Sequence, residues 1–222
     1  SGFRDNSASD LWAYYLGAAR YTENTVTTFN LYGGQEITHP DWYGIPQDIL
    51  RTNRTYNQSS YHNDVDNFMQ PHYELNQQWK ISDKVHWENN FFYIRGEGYY
   101  ENLKTAKKLR AFGMENFFTS DPTLFGADSL RYYRVSTNHS LLLKENGLYT
   151  VTRTDLVRRK WVKKNQLGAI SRLHIKTHDG ESTLGLSGYL FDSNHYGKVI
   201  WAKNLPAVYS PDRKYYKNRG NK

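Results

Sequence analysis

The 222-residue chain has no cysteine, which excludes a disulfide framework and any thiolate metal site. It also has no apolar run near the roughly 20 residues that a membrane helix needs. Mean hydropathy is −0.83. That low value does not exclude a membrane protein, because the strands of transmembrane barrels turn every second residue toward a polar lumen. The opening Ser1-Gly2-Phe3-Arg4-Asp5 carries no signal-peptide pattern, so an exported protein is expected to begin upstream of it. Signatures of chemistry are missing as well. The eight histidines form no His-Glu-x-x-His pair or other zinc spacing. There is no nucleophile-elbow serine and no phosphate-binding glycine loop. Arg95-Gly96-Glu97-Gly98 lacks the following helix and lysine, and reads as glycines placed for bending or close packing. Asp83, His86 and Glu88 crowd one turn, where polar side chains are normally solvated. No enzyme, metal site or cofactor is expected, and no nucleic-acid motif appears.

What the chain has is aromatic rings: 19 Tyr, 10 Phe and 6 Trp. Such rings, with apolar bodies and (for Tyr and Trp) polar tips, suit interfaces that are dry at one end and wet at the other. The net charge is +7, a mild bias compatible with a solvated surface, anionic lipid or an anionic ligand.

Alternation is the main local signal. Over residues 71–81 the odd positions include Tyr73, Leu75, Trp79 and Ile81, and the even ones His72, Glu74, Asn76 and Lys80. Period two with one apolar and one polar face predicts a strand. Val85, Trp87, Phe91 and Tyr93 continue it after the polar turn Ser82-Asp83-Lys84, which makes a hairpin. Leu173 and Ile175 precede His178-Asp179-Gly180-Glu181, and Leu184, Leu186 and Leu190 follow, which makes a second hairpin. A further hairpin is expected over 11–20 and 25–33, turning near Thr22-Glu23-Asn24. The fold class expected is therefore all-β, with about six strands in three antiparallel hairpins. Long polar segments separate them, at 35–67, 101 to about 166, and from Gly197 onward. A helix is possible at 103–112, and 149–162 reads as strand extension or helical turns within the long loop. Long connections of this kind are uncommon in compact soluble domains. Short turns alternating with long loops are what transmembrane barrels show, as periplasmic turns and extracellular loops. A soluble β-sandwich would also alternate. The large charged residues on the polar faces, and Trp79, Trp87 and Tyr93 near strand ends as an interfacial girdle, weigh toward part of a barrel.

Several stretches resemble the barrels of TonB-dependent outer-membrane receptors: SGFRDNSASDLWAYYLGAARY (1–21), NLYGGQEITHPDWYGIP (30–46), NFMQPHYELNQQW (67–79), NNFFYIRGEGYYE (89–101) and TDLVRRKWVKKNQLG (154–168). The resemblance implies a many-stranded barrel in the bacterial outer membrane, plugged by an N-terminal domain and energised through the TonB complex. Residues 1–222 would be one part of such a barrel, without the plug or the barrel-closing strand. The function implied is uptake of a scarce nutrient such as a ferric siderophore, cobalamin, another chelate or an oligosaccharide. Outer-membrane lipids and lipopolysaccharide would be its surroundings. The alternative is a soluble secreted aromatic-rich β-sheet protein that binds carbohydrate.

Candidate ligand contacts in the expected outer loops are His39, Trp42, Tyr43, Tyr56 and His62, with the basic run Arg158, Arg159 and Lys160. Loop packing, with Trp42 turned inward, is the competing role for the first group. Solvated loop charge is the competing role for the second. If the basic run recruits ligand, an anionic chelate is favoured over a neutral sugar.

Overall fold

The computed structural model describes residues 2–205 and 214–219. Its frame is one eight-stranded antiparallel sheet. In chain order the strands are β1 (Ala8–Tyr21), β2 (Thr25–His39), β3 (Val65–Met69), β4 (His72–Ser82), β5 (Val85–Lys108), β8 (Arg153–Lys176), β9 (Glu181–Ala202) and β10 (Lys214–Arg219). Two short strands, β6 (Phe117–Thr119) and β7 (Tyr149–Val151), pair separately in the connection between β5 and β8. Strands β3 and β4 form a single lane between β2 and β5, in one continuous register. Pro71 divides the lane, because proline has no N–H to give the ladder. Its carbonyl still accepts from Arg95 N, at 3.1 Å.

The three expected hairpins are present, turning at 22–24, 83–84 and 177–180. The pairings Thr25↔Trp79 and Val85↔Ile175 put all three turns at one end of the sheet. The longer connections 40–64 and 109–152 lie at the other end.

Several boundaries differ from expectation. The first hairpin extends to Ala8 and His39. Strand β5 runs through Lys108, so 103–108 is strand, and only a 3-10 turn (Leu109–Phe112) follows it. Of the two readings of 149–162, strand extension holds for 153–162, which belong to β8 and not to a long loop. The tail expected from Gly197 onward begins as strand, since β9 continues to Ala202, and β10 adds a strand beyond it. Polar residues on both faces hid these extensions. The ladder forms regardless of hydrophobicity, because backbone groups in long antiparallel pairs satisfy one another.

Chaining the registers exposes two different faces. One cross-strand row is Leu16, Leu31, Tyr73, Tyr93, Leu167 and Leu190, and the next is Ala18, Phe29, Leu75, Phe91, Ala169 and Gly188. Two rows nearer the turns lie Trp79, Trp87, Leu173 and Leu184. These side chains are open: Leu75 is 42% exposed, Phe91 49%, Leu167 55% and Leu184 73%. A polar row, Gln77, Asn89 and Ser171, crosses between them, where Trp87 Nε1 donates to Ser171 Oγ (2.7 Å). The opposite face carries Asn30, Glu74, Asn76, Asn90, Glu88 and Arg172. Its polar atoms satisfy one another: Tyr32 Oη donates to Glu74 (2.7 Å), Tyr15 Oη to Asn30 (2.8 Å), and Asn90 to Asn76.

The buried hydrophobic cluster is elsewhere. Leu109, Phe112, Met114, Phe125, Tyr132, Tyr133 and Val151, from the connection 109–152, pack on Leu156 and Val199 of the sheet. Phe125 and Tyr132 stack at 4.2 Å. The connection is therefore an ordered cap rather than a solvated loop.

Gly98 is used for close packing. A Cβ there would meet the Asn67 carbonyl and the Phe68 Cα, both backbone atoms. Gly98→Ala is expected to destabilise the sheet by about 1–3 kcal/mol, as overpacking does. Gly44→Ala, where a Cβ meets nothing within 4 Å, is expected to be near neutral. Equilibrium unfolding of the two variants checks this; equal effects would contradict it.

Candidate functional site

Beyond the apolar rows, toward the long connections, the polar face opens into a cleft of about 670 Å³. Its floor comes from successive strands in register. Glu36, Phe68, Gly98, Val162 and His195 form one row, and Thr38, Asp66, Tyr100, Lys160 and Gly197 the next. Trp42, from the connection 40–64, stands over this floor with its ring edge-on to Tyr100 at 6.1 Å. Lys160 Nζ lies 5.6 Å from the centre of the same Tyr100 ring, and Lys164 Nζ 5.0 Å from that of Phe68.

The cleft carries both signs of charge. Thr38 Oγ1 donates to Glu36 Oε1 at 2.8 Å and contacts Ser9 Oγ at 3.1 Å. Burial, and then the neighbouring Glu36 carboxylate, raises the Asp66 pKa above the usual carboxylate range. His195 Nε2 lies 2.8 Å from Ser193 Oγ. Chemically this is a recognition surface. It offers two ring faces for stacking, acceptors at Glu36 and Asp66, and a cation at Lys160.

The candidate residues scatter around it. Trp42 and Lys160 line the cleft. Trp42 is 61% exposed, so it is not turned inward. His39 is the last residue of β2 rather than part of a loop, and its Nδ1 donates to the Asp64 carbonyl at 3.1 Å. Tyr43 is exposed, and its carbonyl is held by Arg4 Nη1 at 3.2 Å. Tyr56 is half-buried, while His62 is exposed with its ring 4.9 Å from Tyr61. None of these four lines the cleft.

Arg158, Arg159 and Lys160 are not in an outer loop. They are consecutive residues of β8 and so alternate between faces. Arg158 Nε donates to Asn102 Oδ1 (3.1 Å) and Arg159 Nε to Glu101 Oε2 (2.7 Å). Arg159 also stacks on Tyr99 at 4.4 Å. Only Lys160 reaches the cleft. The residues that sequence reasoning missed are Glu36, Asp66, Phe68, Tyr100 and His195. Each is ordinary locally, and only cross-strand pairing assembles them.

What positions the cleft wall is the carboxylate of Glu101, which is 1% exposed. It accepts from Arg159 of β8, from Tyr61 Oη (2.8 Å) and from Asn63 Nδ2 (2.6 Å). A buried carboxylate needs such partners, and here they pin the connection 40–64 to β5 and β8. Nearby, buried Asn57 donates to the carbonyls of Asp5 (2.9 Å) and Pro40 (3.3 Å), so it fixes the segment that carries Trp42.

Burial, and then the hydrogen bond to Glu101, pushes the Tyr61 phenol up to about 12. A phenol whose pKa rises on folding is favoured in its neutral form. Its contribution is complete below the ordinary value of about 10 and is lost as pH climbs through 12. Absorbance titration of wild type against Tyr61→Phe is expected to show one phenolate appearing near pH 12. A difference midpoint at the ordinary value would contradict the network.

No family model matches the chain, and no curated protein or solved structure shows significant similarity to it.

Proposed function

We propose that this chain is part of an outer-membrane β-barrel, from a TonB-dependent receptor that takes up a scarce small nutrient. The observation that carries the reading is the open apolar face. Cross-strand rows of Leu, Phe and Tyr are left uncovered by any protein layer among the described residues. The face is bounded by stacked aromatic pairs, Trp79–Trp87 at 6.0 Å and Tyr73–Tyr93 at 5.9 Å. From Trp87 to Tyr93, the rows that bound it, the strand runs about 20 Å, somewhat short of the roughly 25 Å apolar band of a barrel. Pairs of Trp and Tyr at both margins suit the two membrane interfaces.

The position of the apolar band on each strand adds support. On β1 it covers Trp12 to Ala18; on β9 it covers Leu184 to Leu190. Through the registers, the band on β9 lies two rows nearer the turns than on β1. Strands that cross a slab at a tilt produce such a diagonal.

In this reading the polar face lines the lumen and the cleft lies at its outer mouth. A ferric siderophore, another chelate, cobalamin and an oligosaccharide are all candidate cargo. Glu36 and Asp66 favour a ligand with ring surfaces and hydroxyl or cationic donors over a compact anion. The exposed Trp42 beside Tyr100 would equally serve a secreted carbohydrate-binding protein, the rival reading.

Fractionation of cells that make the protein from its own gene separates the two. Recovery in the detergent-extracted envelope is expected; recovery in the soluble fraction without detergent would overturn the receptor reading. Within a bilayer, Leu75→Arg is expected to cost about 2–4 kcal/mol and Asn76→Arg much less. Unfolding from lipid vesicles measures both, and equal penalties would refute the assignment of faces.

A further inference from the structure

A second cavity, of about 820 Å³, lies where β5 ends against the cap formed by 109–152. Its charged lining is of one sign: Lys107, Lys108, Arg110, Arg131, Arg134 and Arg153, with no carboxylate in the wall. Two of these cations are engaged. Arg153 Nη1 donates to the Ala106 carbonyl (2.9 Å), and Arg131 lies 3.6 Å from Asp128 across an exposed pair. Lys107, Lys108, Arg110 and Arg134 have no carboxylate partner among the described residues. Like charges gathered around one hollow repel one another, and the arrangement is relieved when an anion enters.

The wall is built, not incidental. The β5–β8 ladder shifts register between Lys104 and Lys107, and Ala106 within that bulge has φ of 48°. Left-handed backbone at a residue with a Cβ is strained, and persists where the surroundings over-determine it. Here Asp155 Oδ1 accepts from Ala106 N at 2.8 Å, Arg153 binds its carbonyl, and Tyr132 Oη donates to Asp155 at 3.0 Å. This stitching bonds Asp155 into the framework, and Asp155 is not among the residues that line the cavity. The bulge also sets Lys107 and Lys108 at the rim. Asn116, Thr105 and Thr152 add neutral hydrogen-bonding groups to the wall.

We infer that this cavity binds a phosphate-bearing polyanion, held by the Lys107–Lys108 rim and the Arg110 and Arg134 guanidinium groups. Several cations of which two are arginines, whose planar forks match paired oxygens, fit a diphosphate or two neighbouring phosphates better than a single carboxylate. The site is separate from the mixed-charge cleft beside Trp42, and does not depend on whether the apolar face meets lipid. The phosphates could be those of a soluble diphosphate or of a lipid headgroup.

The test uses the full chain folded in a zwitterionic detergent with no added lipid, titrated calorimetrically with inorganic pyrophosphate at low salt. Saturable binding is expected. The double variant Lys108→Gln/Arg134→Gln is expected to weaken it by about tenfold or more, as loss of two charge-assisted contacts does. Lys84→Gln/Lys176→Gln, at the opposite end of the sheet, makes the same charge change and is expected to leave binding intact. A parallel arm presents phosphate on lipid, using micelles doped with a bis-phosphorylated glycolipid. Binding of pyrophosphate alone assigns a soluble ligand; binding only of the doped micelles, lost in the same double variant, assigns a lipid headgroup. Absence of saturable binding in both arms overturns the proposal, and so does equal weakening by the two double variants. Circular dichroism melting of each variant keeps a folding defect from passing as lost affinity.

Discussion

The pairing of β5 with β8 is the constraint on which the rest of the molecule depends. Each strand has 24 residues, and they stay in register from Val85↔Ile175 to Lys104↔Leu156 before the bulge. A ladder that long fixes every side chain to one of two faces, since a one-residue slip would invert them all. It aligns Tyr93 with Leu167 and Phe91 with Ala169 on the apolar face, and Glu88 with Arg172 on the polar one. It also carries both faces past the apolar band, where the same alternation sets Tyr100 against Lys160 in the cleft and Glu101 against Arg159 behind it.

Two carboxylate networks, a buried one at Glu101 and a half-buried one at Asp155, then turn the connecting segments into structure. Glu101 ties down 40–64 through Tyr61 and Asn63. Asp155 ties the bulge at Ala106 to the cap through Tyr132. Arg159 pairs with Glu101 itself, and Arg153 holds the carbonyl of Ala106, whose N–H donates to Asp155. The basic residues of β8 thus serve the framework first. Lys160 is left to face the cleft, while the cations of the basic cavity other than Arg153 come from the bulge and the cap.

Much of the frame was legible in the sequence. Tyr73, Leu75 and Trp79 alternating with Glu74, Asn76 and Lys80 marked a strand with one apolar and one polar face, and Asp179-Gly180 marked a turn. Strand ends were not legible. Beyond Ile94 and before Leu167 polar and charged residues occupy both faces, so the period-two signal fades while the backbone ladder continues. The possible helix over 103–112 is strand and then a 3-10 turn, in which Leu109 and Phe112 are anchors of the cap. At the site, Trp42 stood out by residue type, and Lys160 by belonging to a basic cluster. Glu36 and Asp66 carry no local mark. Their proximity follows from β2–β3 register, a long-range fact that no window of sequence contains.

The two faces differ in what they require of their surroundings. The polar face is largely self-sufficient, because Tyr32–Glu74, Tyr15–Asn30 and Asn76–Asn90 close hydrogen bonds across adjacent strands. The apolar face has no such internal solution. An apolar sheet face is ordinarily buried against a second layer, yet the connection that could supply one, 109–152, folds instead around Leu109, Phe112 and Phe125 at the far end of the sheet. Leu75, Phe91 and Leu167 are left without a protein cover among the described residues. Burying such surface is favourable at about 25 cal/mol per Å², so whatever covers these rows contributes more than any single side-chain bond in the sheet. That asymmetry, rather than the number of strands or the net charge, is the physical ground on which the proposal of lipid against one face and water against the other rests.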